Sequence, residues 1–70
     1  MINSKLLREL RAKRRESRRE VAIAVGITEE TLKQLETNPD ANPTSRVIEG
    51  LATYYIRTAG EIIGTEKVAK

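Results

Sequence analysis

A chain of 70 residues with no cysteine and no histidine makes one small domain held by packing, because disulfides, thiolate or imidazole metal sites and histidine-dependent catalysis are all excluded. No apolar run is long enough to span a bilayer and no signal-peptide core opens the chain, so no membrane partner is expected and the cytoplasm is the expected location. The net charge of +3 is uneven: residues 1–20 hold eight Lys/Arg against three Glu and residues 21–70 hold five against seven acids, so the leading segment suits a polyanion such as nucleic acid, unless it is simply a solvated basic helix.

Ser4 is placed to cap a first helix, in which Leu6, Leu7 and Leu10 recur at the spacing of one buried face while Arg8, Arg11, Lys13 and Arg14 ride alongside. Ser17 followed by Glu20 is a capping-box pair, which starts a second helix at Arg18 with Val21, Ala22 and Val25 inward. Gly26 suits a left-handed residue just past that helix, Ile27 packs into the turn, and Thr28 caps a third helix that buries Leu32 and Leu35. The segment TNPDANPTS, 37–45, holds both prolines and reads as an exposed loop. A fourth helix carries Val47, Ile48, Leu51, Ala52 and Tyr55 on one face. Thr58 with Glu61 repeats the capping box and opens a short fifth helix with Ile62 and Ile63. Strand alternation and hairpin turns are missing. The expected fold is therefore all-α, five short helices in a single domain over residues 1–63, with 64–70 a flexible tail.

The stretch SRREVAIAVGITEETLKQLETN, Ser17 to Asn38, resembles the helix-turn-helix of the lambdoid phage repressor and Cro family, also called Xre-type. Ala22 allows close helix approach, Gly26 makes the turn, Ile27 follows it, and Leu32 and Leu35 anchor the next helix, all at the family's spacing. LRELRAKRR from Leu7 to Arg15 looks like the family's first helix, Pro43 falls where its loop commonly has proline, and Leu51 and Ala52 match its fourth helix.

The resemblance implies a lambda-repressor-like DNA-binding domain, with the third helix in the major groove and the second across the backbone. Thr28, Glu29, Glu30, Thr31 and Gln34 are then the base-reading residues, the amide of Gln34 suiting adenine N6 and N7. Arg14, Ser17, Arg18, Arg19 and Lys33 are the phosphate contacts, and Arg18→Ala is expected to weaken binding to all sequences alike. Arg11 and Glu36 are the family's structural ion pair, so losing Arg11 is expected to destabilise the fold. One recognition helix reads too few base pairs for specificity, so a two-fold contact is expected on the apolar surface left over, near Tyr54, Ile56, Ile62 and Ile63. The implied function is a sequence-specific transcriptional regulator, Cro- or repressor-like, acting without a cofactor as a weak homodimer on a palindromic operator in double-stranded DNA. The alternative is a helix-turn-helix modulator or antirepressor that binds a partner repressor protein rather than DNA by itself.

Several residues depart from the family pattern. Arg18 stands where glutamine is usual, and Asn38, Pro39 and Asp40 make an unbasic loop where a basic one is usual. Arg15 and Glu16 replace a glycine and an apolar residue between the first two helices; a non-glycine in the left-handed region costs about 1 kcal/mol, so another turn shape is expected. Arg57 falls near a commonly apolar position and is expected to shift the register of the fifth helix. Glu29 and Glu30 fit three readings: carboxylates complementing the helix dipole, at about 0.3 to 1 kcal/mol each, acceptors for cytosine N4, or part of a protein-binding surface. They point to different sides of a helix and no nucleophile or phosphate loop accompanies them, so no enzyme is expected. Tyr54 and Tyr55 read as core and rim aromatics rather than base-stacking platforms.

Overall fold

The computed structural model describes residues 2–65. The chain forms α1 (Ser4–Arg14), α2 (Arg18–Val25), α3 (Glu29–Thr37), α4 (Ser45–Tyr55) and α5 (Ala59–Ile63), with no strand among the described residues. Side-chain oxygens start the helices. Ser17, Thr28, Thr44 and Thr58 each accept from the backbone N–H three residues on, and the two capping boxes, Ser17 with Glu20 and Thr58 with Glu61, close in both directions. α1 differs from expectation. Its cap is Asn3, whose Oδ1 accepts from Leu6 N at 3.2 Å, and Ser4 is the first helical residue. The Ser4 hydroxyl is buried and donates to the Leu35 carbonyl at 2.6 Å, so a tertiary acceptor claims the group that local sequence offered as a cap.

Every helix contributes to one core, with Leu7, Val21, Leu32, Leu51 and Ile62 fully excluded from water. Burying an aliphatic side chain of this size stabilises by about 1.5–3 kcal/mol, which is how five short helices that would not persist alone hold one another. The turn between α2 and α3 follows the expected chemistry: Gly26 has φ 83°, and both its N–H and that of Ile27 donate to the Ala22 carbonyl at 2.9 Å. The N-terminal residues are tied in as well, Ile2 N to the Pro39 carbonyl at 3.2 Å and Asn3 N to the Ile62 carbonyl at 2.8 Å.

The join between α1 and α2 overturns one expectation. Arg15 takes the left-handed conformation, φ 54° and ψ 40°, although it is not glycine. The hydrogen bonds explain why: Arg15 N donates to Ala12 O, Glu16 N to Arg11 O, and Arg11 Nη1 returns to the Glu16 carbonyl at 3.1 Å, so closing the end of α1 outweighs the steric cost. The Arg15 side chain is exposed. Arg15→Gly is therefore expected to raise stability by about 1 kcal/mol, read as a higher urea midpoint at unchanged m. A lower midpoint would show that the arginine itself makes a stabilising contact.

α5 starts at Ala59, where its capping box predicts. Arg57 does not displace it: its N–H donates to the Ala52 carbonyl at 2.8 Å and its guanidinium lies 3.4 Å from Glu61 Oε2. That cation and the backbone N–H of Thr58, which is the larger cause, hold the Glu61 carboxyl below its ordinary pKa. Of the expected tail, Gly64 closes α5 with φ 86° and Thr65 N donates to the Gly60 carbonyl at 2.9 Å; residues 66–70 lie outside the described residues. No helix among the described residues is long and apolar enough to cross a membrane.

Candidate nucleic-acid interface

α3 presents one side to the core and the other to solvent. Leu32, Leu35 and Glu36 are buried, while Thr28, Glu29, Glu30, Thr31, Lys33 and Gln34 are exposed. The helix has no basic residue in its own last turn, and α1 supplies what is missing. Ser4 donates to the Leu35 carbonyl and Arg8 Nη1 to the Glu36 carbonyl, so the negative end of α3 is capped by a neighbouring helix.

The Glu36 side chain is fully buried and is shared by two arginines. Arg11 binds it with both edges, Nε to Oε2 at 2.8 Å and Nη2 to Oε1 at 3.1 Å, and Arg18 Nε reaches Oε1 at 2.9 Å. Hydrogen bonding to Glu36 raises the Arg11 pKa above its ordinary value. One carboxylate thus joins α1, α2 and α3. Arg18, expected at a phosphate, turns its Nε inward, and 36 % of its side chain remains exposed. The glutamine usual at this position could not supply a charge there; an arginine can, and Glu36 takes it.

The other expected phosphate contacts divide in the same way. The Ser17 N–H is already donated to Glu20 Oε1 at 3.1 Å and its hydroxyl accepts from Glu20 N. Arg14 lies over the rings of Tyr54, at 4.8 Å, and Tyr55, at 5.4 Å, with Nη1 3.8 Å from Glu16 Oε1. Arg19 and Lys33 are exposed and make no ion pair among the described residues.

Sequence reading missed the small polar cluster behind Arg14. The Tyr54 hydroxyl donates to Glu16 Oε2, which raises its pKa, and the Tyr54 and Tyr55 rings meet edge to face at 5.1 Å. The available signal was Glu16 itself, a carboxylate where an apolar residue was expected. Tyr55 is buried, its hydroxyl has no hydrogen-bond partner among the described residues, and burial pushes its pKa up from 10 to about 12. A proton held more tightly by the folded than by the unfolded state stabilises fully below pH 10, and that contribution is lost as pH rises toward about 12. Tyr55→Phe is expected to shrink this alkaline loss and to be neutral or stabilising by up to about 1 kcal/mol at pH 7, measured as urea midpoints at pH 7 and pH 11. An undiminished alkaline loss would assign it to other groups.

At the tip of α3 the Thr28 hydroxyl accepts from Thr31 N at 3.1 Å and donates to Thr31 Oγ1 at 2.8 Å, and Gln34 Nε2 donates to Glu30 Oε1 at 3.4 Å. Glu29 and Glu30 fill the first turn of α3, and Glu20 stands in the first turn of α2. Of the residues expected at a two-fold contact, Ile56 is 83 % exposed while Tyr54 and Ile63 are half-buried. Ile62 is 0 % exposed; on so short a helix this side chain is the apolar one that the core takes, which removes it from any contact with a second copy. No cluster of potential metal ligands occurs among the described residues.

A model of the helix-turn-helix domain matches residues 4–62, from the start of α1 to within one residue of the end of α5. No match is found among curated proteins. With two short helices joined at Gly26, the second buried on its Leu32–Leu35 side and open on the other, the chain belongs to the helix-turn-helix domain family of DNA-binding regulators.

Proposed function

We propose that the protein is a cytoplasmic, sequence-specific transcriptional regulator of the Cro or repressor type, reading a palindromic operator in double-stranded DNA as a weak homodimer. The observation that carries this reading is the exposed side of α3, polar from Thr28 to Gln34, on a helix whose other side is locked in the core. Thr28, Glu29, Glu30, Thr31 and Gln34 face base edges. Arg19 and Lys33 bind phosphates, and Arg14, Ser17 and Arg18 add whatever their structural partners leave available. The two-fold contact falls on Ile56, with Tyr54 and Ile63 beside it. The Cα envelope measures 27 × 24 × 19 Å, so two domains on half-sites about 34 Å apart meet over a small area, in keeping with a dimer that forms mainly on DNA. Ile56→Asp should then leave the monomer folded and abolish cooperative occupancy of two half-sites in footprinting.

A salt titration of binding to duplex DNA tests the function itself. The logarithm of affinity should fall steeply with that of salt, and Arg19→Ala should weaken all sequences alike while reducing the slope by about one. A second reading is favoured by Glu20, Glu29 and Glu30 in the first turns of α2 and α3, where a phosphate would approach. In that reading the protein is a modulator or antirepressor that engages a partner repressor protein, and weak, salt-insensitive DNA binding until the partner is added would establish it over the first.

A further inference from the structure

Gln34 and Glu30 lie one turn apart on the exposed side of α3, and the Gln34 amide nitrogen donates to Glu30 Oε1 at 3.4 Å. A carboxylate only accepts, so the amide must turn its nitrogen, not its oxygen, toward Glu30. That nitrogen carries two hydrogens, one beside the amide oxygen and one directed away from it. Reading adenine uses the oxygen together with the near hydrogen, the oxygen accepting from N6 and the hydrogen going to N7. The far hydrogen is the one a neighbouring acceptor can take without disturbing that edge. Glu29, one position earlier, lies off this side of the helix and cannot do the same.

We infer that Glu30 is a positioning residue for base recognition: it takes the far hydrogen of the Gln34 amide and holds the residue in the one orientation that reads adenine. Its charge also disfavours guanine in place of that adenine, because guanine O6 puts an acceptor where adenine N6 offers a donor. This inference rests on the DNA-binding reading and assigns one of the α3 acids a use within it.

Selection from randomised duplex DNA, followed by competition with single-base variants, tests it on the wild type, Gln34→Ala, Glu30→Ala and Glu30→Gln, each checked for helicity by circular dichroism. The wild type should select adenine at one position of each half-site. Gln34→Ala should reduce that preference about tenfold or more at that position alone. Glu30→Ala should reduce it about three- to fivefold at the same position, because the amide must now be ordered on contact, while overall affinity rises as a negative charge is removed. Glu30→Gln, whose amide oxygen still accepts from Gln34, should keep the preference. If Glu30→Ala leaves the adenine preference intact, or changes a different base pair, the positioning role is overturned while DNA binding stands. A wild type that selects no sequence overturns both.

Discussion

Replacing Glu36 by alanine is expected to destabilise the protein by about 3 to 5 kcal/mol, because it removes the buried carboxylate that two guanidinium groups share and leaves them facing each other beside the core. A domain of this length has roughly 4 to 10 kcal/mol in all, so the variant should lose about half of its stability. Arg11→Ala should cost less, since Arg18 continues to neutralise the buried carboxylate, and Arg18→Ala less still, its side chain being 36 % exposed against 23 % for Arg11. Chemical denaturation of the three single variants and the Arg11–Glu36 double variant decides the matter. A loss under about 1 kcal/mol for Glu36→Ala, or strictly additive losses in the cycle, would mean that the network does not hold the helices together. A consequence for DNA binding follows: Arg18→Ala should lower stability as well as affinity, so its effect on operators must be read at a temperature where the variant is fully folded.

Ile62→Asp is expected to abolish the fold. The side chain is fully buried on a five-residue helix, and a carboxylate introduced there without a partner costs more than about 4 kcal/mol, comparable to the whole stability of the domain. The expected result is loss of far-UV helicity and of a cooperative thermal transition. A folded Ile62→Asp monomer would mean that α5 detaches from the core at little cost. Ile56→Asp, a short distance earlier in the chain, should do neither, since its side chain is 83 % exposed.

Local chemistry made most of the fold readable. Ser17 with Glu20 and Thr58 with Glu61 announce helix starts because both partners of the interaction lie three residues apart, and Leu32 with Leu35 assigns the exposed side of α3 by periodicity alone. What could not be read depends on partners distant in the chain. Ser4 reads as the cap of α1 by local sequence, but its hydroxyl goes to the Leu35 carbonyl, 31 residues away, and Asn3 caps the helix. Arg18 looks like a phosphate ligand until Glu36, 18 residues on, is seen to bind it, and Glu16, with Arg14 close by in the chain, finds its hydrogen-bond donor in Tyr54, 38 residues on. Arg15 shows propensity overruled by tertiary closure of the turn. Ile62 and Ile63 are indistinguishable by composition; a single turn of helix carries too little periodicity to say which one is inside.

The attachment of α3 has a mechanical meaning. Its last turn is clamped through polar groups by Ser4, Arg8 and Arg11 from α1 and by Arg18 from α2, whereas its first turn is held by the Thr28 cap and by the packing of Leu32. α3 is thus fastened like a cantilever, with its side-chain hydrogen bonds to other helices gathered at one end. Backbone amides around Leu35 and Glu36 should exchange with solvent only when the whole domain opens, and those around Glu30 and Thr31 through small local excursions. In the proposed complex with DNA, this asymmetry leaves the end nearest the bases free to adjust to the local shape of a groove, while the rooted end keeps that adjustment from reaching the core.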